Sequence, residues 1–162
     1  MWYLTKLYVP GLLKSSPMEI GDGCGLSPRK IEYLKFIQGN GVRVRTTDIA
    51  REFGVDPSTT TKMVTELCAD GLVIHEPYRG IGLSGDGRKY ADYLIKRHRI
   101  LSLMLTHYGF SHEQACREAS RFESLVTKEA IDRICTAMGH PRRGVCGAIT
   151  HDDGCLEKEL TR

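Results

Sequence analysis

Five residues near the end of the chain carry soft donor atoms: Cys135, His140, Cys146, His151 and Cys155. They fall within twenty-one residues, spaced C-x4-H-x5-C-x4-H-x3-C. Thiolates and neutral imidazoles ligate Zn²⁺, and thiolates hold iron–sulfur clusters. The spacing matches no standard zinc finger or ferredoxin run. Three readings stay open: a soft-metal site made from all or part of the set, such as Cys116, Cys135 and Cys146; an iron–sulfur cluster; or ordinary thiols on a frayed tail. A second group of chemically active residues is the run Ser58, Thr59, Thr60, Thr61 and Lys62. Four hydroxyls and a cation at a helix start suit phosphates and base edges. No nucleophile, base and orienting group stand at a recognisable spacing, so no enzyme is expected.

The elements that must position these groups can be read from punctuation and period. Ser27 and Pro28 open a helix to Gln38, with Ile31, Leu34 and Ile37 on its apolar face and Gly39-Asn40-Gly41 as its stop. A short helix from Thr47 to Phe53, capped by Thr46 or Thr47, ends at Gly54. After a tight turn, a third runs from Pro57 or Ser58 to Asp70. Two short helices across a glycine-containing turn form a helix-turn-helix, whose second helix enters the major groove by its N-terminal residues. Leu72-Val73-Ile74 and Ile81-Gly82-Leu83 flank the turn Pro77-Tyr78-Arg79-Gly80, which makes a hairpin, or wing. Tyr78 and Arg79 at its tip, and Arg45 before the second helix, are candidate DNA contacts. The rest is helical: about Asp86 to His107, His112 to Leu125 after the capping box of Ser111 and Gln114, and Lys128 to Met138 after Thr127. Beyond Pro141 the chain reads as irregular.

The chain has 162 residues, 41% of them hydrophobic and 27% charged, with a net charge of +3. This balance is that of a folded protein, and the small positive charge permits nucleic acid as a partner. No apolar run is long enough to span a bilayer, and no signal peptide is visible. The six cysteines therefore read as reduced thiols or metal ligands in a cytoplasmic protein. The expected organisation is an extension over 1–26, in which Met18 offers an alternative start, a DNA-binding domain over 27–85, a helical domain over 86–141 and a Cys/His tail over 142–162.

Several segments together resemble the diphtheria toxin repressor family of metal-dependent regulators, in its short form without an SH3-like domain. They are IEYLKFI at Ile31, DPSTTTKMV at Asp56, YRGIGLS at Tyr78, GRKYADYLIKRHRIL at Gly87, EASRFE at Glu118 and EAIDRI at Glu129. The resemblance implies a mainly α fold, an N-terminal winged helix-turn-helix followed by an all-helical dimerisation domain. It also implies a homodimer, a palindromic operator in double-stranded DNA, and gating by a divalent metal, Fe²⁺, Mn²⁺ or Zn²⁺, of a repressor of metal-homeostasis genes. By the same resemblance, Glu32, His98 and Glu123 stand at ligand positions. Cys116, Ser120 and Glu123 share a helix face at i, i+4 and i+7. The match departs at Lys35, Ser102, Cys116, Ser120 and Ser124, where the family carries carboxylate, histidine or cysteine ligands. A site of Glu32, His98, Cys116, Ser120 and Glu123 is softer than the usual one and favours Zn²⁺, Fe²⁺ or Co²⁺. The alternative expectation is a DNA-binding regulator whose usual site has decayed, either independent of metal or gated by a cysteine-ligated zinc or iron–sulfur centre.

Overall fold

The structure, a computed structural model, describes residues 25–41, 43–151 and 155. The extension through residue 24, with Met18 and Cys24, lies outside the described residues, as do 152–154 and 156–162.

Helix α1 (Pro28–Gly39) begins where Ser27 Oγ accepts the Lys30 N–H and Pro28 sets the first turn. It buries Ile31, Tyr33, Leu34 and Ile37. Helix α2 (Thr46–Phe53) is capped one residue earlier than expected, at Arg45. The Arg45 N–H donates to the Asp48 carboxylate (3.4 Å), so neither threonine serves as cap. Gly54 ends α2 in the left-handed conformation, and helix α3 (Pro57–Ala69) follows from Asp56. Strands β1 (Val73–Glu76) and β2 (Gly80–Leu83) pair antiparallel, with Val73 opposite Leu83. Val44 adds a third rung through paired hydrogen bonds with Ile81 (2.9 and 2.8 Å). These elements form the expected winged helix.

Helix α4 (Gly85–His107) is the spine that joins this head to the rest. Its first turn passes against the Leu72 carbonyl, and a Cβ on Gly87 would lie 1.8 Å from that oxygen. Only glycine permits this approach. Helix α4 packs against α1, helix α5 (His112–Phe122) and helix α6 (Lys128–Ala137), and one continuous apolar core runs from Leu26 to Cys155. At the α4–α6 contact a buried carboxylate, Asp132, is held by Lys96 (3.3 Å) and Lys128 (2.8 Å).

Two expectations are corrected. The helix expected through Leu125 stops at Phe122 and tightens into a 3₁₀ turn, Glu123–Leu125. The stretch after Pro141, expected to be irregular, folds into a small hairpin of β3 (Arg143–Gly144) and β4 (Gly147–Ala148). The Ile149 N–H donates to the Arg142 carbonyl (2.9 Å) and its side chain is buried. Arg99 of α4 donates to the Ala148 carbonyl, which seats the hairpin on α4. Two-residue strands leave almost no periodic signal, so the sequence pattern could not announce them.

Candidate metal centre and nucleic-acid interface

The reading head presents Ser58, Thr59, Thr61 and Lys62 to solvent on the first turns of α3. Thr61 Oγ1 donates to the Pro57 carbonyl (2.8 Å), which leaves its lone pairs free to accept. Thr60 departs from the expectation. Its side chain is fully buried, and its hydroxyl shares a hydrogen bond with Tyr33 Oη (3.3 Å). Thr60 stands in line with Val64 and Leu67 at i+4 and i+7, on the buried face of α3. It anchors the reading helix to α1 and does not face outward. Thr65, one turn further on, is exposed and extends the polar ridge; its spacing from Thr61 is the signal that could have found it. Arg45 is exposed at the start of α2. At the wing tip, the Arg79 N–H donates to the Glu76 carbonyl (3.1 Å), closing a turn whose third residue, Tyr78, has φ +64°. That position normally takes Gly or Asn. Tyr78 is fully exposed, and Arg79 projects beside it with only a loose ion pair to Glu76 (3.6 Å).

The expected ligand set is partly assembled and partly dispersed. His98 of α4, Cys116 of α5 and Cys146 at the tip of the β3–β4 hairpin bring donor atoms within 4.8 Å of one another. His98 Nδ1–H donates to Glu123 Oε2 (3.0 Å), and Glu123 Oε1 accepts from Lys35 Nζ of α1 (2.6 Å). Burial alone would raise the Glu123 carboxyl; His98 and Lys35 outweigh it and hold the carboxyl below its usual range. Burial alone would lower His98, but hydrogen bonds to Cys146 and Glu123 raise it. The His98 hydrogen bond in turn lowers the Cys146 thiol to about 7, so much of it is thiolate at neutral pH. Cys116, chiefly through burial, is raised.

Glu32 does not join this group. Its side chain is exposed and pairs with Arg29 (3.1 Å) on the outer side of α1. Ser120 is also exposed, because the buried face of α5 runs through Ala115 and Ala119. Beyond α5 the chain tightens to 3₁₀ winding at Glu123, whose buried carboxylate meets His98. Two participants were not in the expected set. Lys35 supplies the link to α1 that Glu32 was expected to provide, and Cys146 leaves the C-terminal cluster to meet His98.

The other four C-terminal donors converge. Cys135, His140, His151 and Cys155 place one donor atom each within 4.8 Å of all the others. Cys135 and Cys155 are fully buried, and both histidines are half-buried.

A winged reading head joined through one long helix to a donor-bearing helical domain is the architecture of a metal-responsive DNA-binding regulator. Residues 25–81 match the iron-dependent repressor N-terminal DNA-binding domain, and residues 84–149 match the iron-dependent repressor metal-binding and dimerisation domain. The chain belongs to the iron-dependent repressor family. It is 35% identical over 104 residues to the HTH-type transcriptional regulator MntR of Lysinibacillus sphaericus, covering 64% of this chain and 75% of that protein. Among solved structures, a hypothetical protein of Sulfolobus solfataricus superposes with a TM-score of 0.69 at 28% identity, over 78% of this chain and 100% of that one. ScaR with bound Zn²⁺ gives a TM-score of 0.67 at 27% identity, over 75% of this chain and 59% of that one.

Proposed function

We propose that this chain is a cytoplasmic, homodimeric repressor of metal-homeostasis genes. It binds a palindromic operator and responds to a divalent transition metal held by His98, Cys116 and Cys146. The observation that carries this reading is the convergence of those three donors from three separate elements beside Glu123. One imidazole and two thiols fit Zn²⁺ or Fe²⁺ better than Mn²⁺, which prefers oxygen donors. When bound, the ion supplies a cross-link between α4, α5 and the hairpin. Glu123 fixes the ring of His98, in the manner of carboxylates that orient metal-binding histidines.

A contact path leads from this site to the reading helix. His98 meets Glu123, Glu123 meets Lys35 of α1, and α1 holds α3 through Tyr33 and Thr60. Any shift of Glu123 therefore bears on the angle at which Ser58, Thr59 and Lys62 are presented. In a dimer that angle decides whether two heads fit half-sites about one DNA turn apart. The exposed Tyr108, Phe110 and Leu125 supply apolar surface in the helical domain for the partner copy.

The test is fluorescence anisotropy on the chain's own promoter, at fixed salt, with Zn²⁺, Fe²⁺ or Mn²⁺ added. Tighter binding with Zn²⁺ or Fe²⁺, abolished in the Cys116→Ser/Cys146→Ser variant, is expected. Equal binding with and without every metal overturns the proposal.

A further inference from the structure

We infer that Cys135, His140, His151 and Cys155 form a second, structural zinc site that clamps the β3–β4 hairpin at its base. A tetrahedral Zn²⁺ with Zn–S of about 2.3 Å and Zn–N of about 2.0–2.1 Å separates two sulfurs by roughly 3.8 Å, and a sulfur from a nitrogen by roughly 3.6 Å. The two thiols here stand 3.8 Å apart. Cys135 Sγ lies 3.6 Å from both His140 Nδ1 and His151 Nδ1. Cys155 Sγ lies 3.5 and 3.7 Å from the same two nitrogens. These five separations match five of the six edges of one tetrahedron, and the sixth, between the two nitrogens, lies within 4.8 Å.

The surroundings agree. His151 Nε2–H donates to the Pro141 carbonyl (3.1 Å), which leaves Nδ1 as the lone-pair nitrogen facing the thiols. Zinc-binding histidines are ordinarily oriented in this way. His140 reaches the group because the chain curls left-handed at Gly139 (φ +72°) and again at His140 itself (φ +51°). A left-handed backbone at a side-chain-bearing residue is uncommon and gathers at functional sites.

The arrangement closes a loop. Cys135 and His140 precede β3, while His151 and Cys155 follow β4, so the ion ties both ends of the segment 141–150. At the tip of that segment stands Cys146. Four protein ligands leave no open position, which marks a structural rather than an exchangeable site. The inference stands on these four residues and does not depend on metal sensing at His98.

The experiment uses the full chain as Cys116→Ser/Cys146→Ser, so that the other donor set cannot hold metal. The protein is produced with zinc, dialysed against metal-free buffer, and its metal content measured. One tightly held zinc per chain is expected. Exchange for Co²⁺ should give the intense visible bands of a tetrahedral sulfur-ligated ion. His151→Ala in the same background should lose or weaken retention and change the cobalt spectrum. Thiol alkylation followed by mass mapping gives a reading that does not require a destabilised variant. Cys135 and Cys155 should be protected until a strong chelator is added. Absence of metal, a Cys135–Cys155 disulfide in protein kept under reductant, or zinc retained unchanged in Cys135→Ser/Cys155→Ser overturns the inference.

Discussion

The two donor clusters lie on either side of one small hairpin, yet they are built differently. The Cys135 quartet is closed: four ligands, two fully buried sulfurs, tetrahedral edges. The His98 cluster is open: three donors, an exposed Cys146, and a carboxylate that holds the imidazole from behind. A closed site keeps its ion and stabilises a fold, whereas an open one can exchange its ion and so report its concentration. The difference also assigns an order of assembly. Cys146 reaches His98 only when the hairpin is formed, so the closed site is a precondition of the open one.

The strongest way to break this comparison is to remove the closed site. Cys135→Ser/Cys155→Ser should leave the winged helix folded and release the hairpin. Structural zinc contributes ~10 kcal/mol or more in isolated finger peptides. Amide protection between residues 142 and 151 should therefore fall by about a thousandfold or more on hydrogen exchange. Metal-stimulated operator binding should be lost with it. If binding still responds to metal in full, the two clusters are independent and the order of assembly is wrong.

Removing one ligand from the open site should have a smaller and more selective effect. Cys146→Ser should keep the quartet's zinc and the hairpin's amide protection. It should raise the metal concentration needed for operator binding by about a hundredfold or more, since loss of a ligand costs at least as much as loss of a group that merely orients one. Operator anisotropy titrated with free Zn²⁺ reads the shift. A loss of hairpin protection in this variant would mean that Cys146 is itself structural.

Next in size is the link to the reading head. The Lys35–Glu123 pair is largely buried and joins the two domains. Lys35→Met should cost ~2 kcal/mol of stability, between the values for exposed and buried pairs. A double-mutant cycle with Glu123→Gln, read on metal-dependent operator affinity, should give an interaction of ~1–2 kcal/mol. Additive effects would remove Lys35 from the path and leave packing and the Gln38–Asp92 hydrogen bond (2.6 Å) among the links between the domains.

The same contrast governs what could be read from the sequence. The winged helix was legible because caps, glycine stops and apolar period all agree there. The donor types in the tail were legible too, but their division was not. Cys146 sits between His140 and His151 in sequence, and only the two-residue strands carry it away from them. The hydroxyl of Thr60 suggests an outward position, although its spacing from Val64 and Leu67 places it inward. The resemblance points to Glu32 as a ligand, whereas the side chain on α1 that reaches the site is Lys35. Its charge sign concealed that part, since an ammonium satisfies Glu123 where a metal ligand was expected.

The smallest expected effect separates the reading head from both clusters. Tyr78 holds a left-handed conformation at the wing tip with its ring fully in solvent. Such a conformation costs roughly 1–2 kcal/mol for a residue with a side chain. Glycine removes that cost but loses about 0.5–1 kcal/mol in chain entropy. Tyr78→Gly should therefore raise thermal stability slightly, by ~0.5–1 kcal/mol. If the ring meets DNA, the same variant should bind the operator more weakly at every metal concentration, with an unchanged metal midpoint. Stability and affinity would then move in opposite directions, which no general loosening of the fold produces. Unchanged affinity would show that Tyr78 is only a turn residue, and the wing's contact would fall to Arg79 alone.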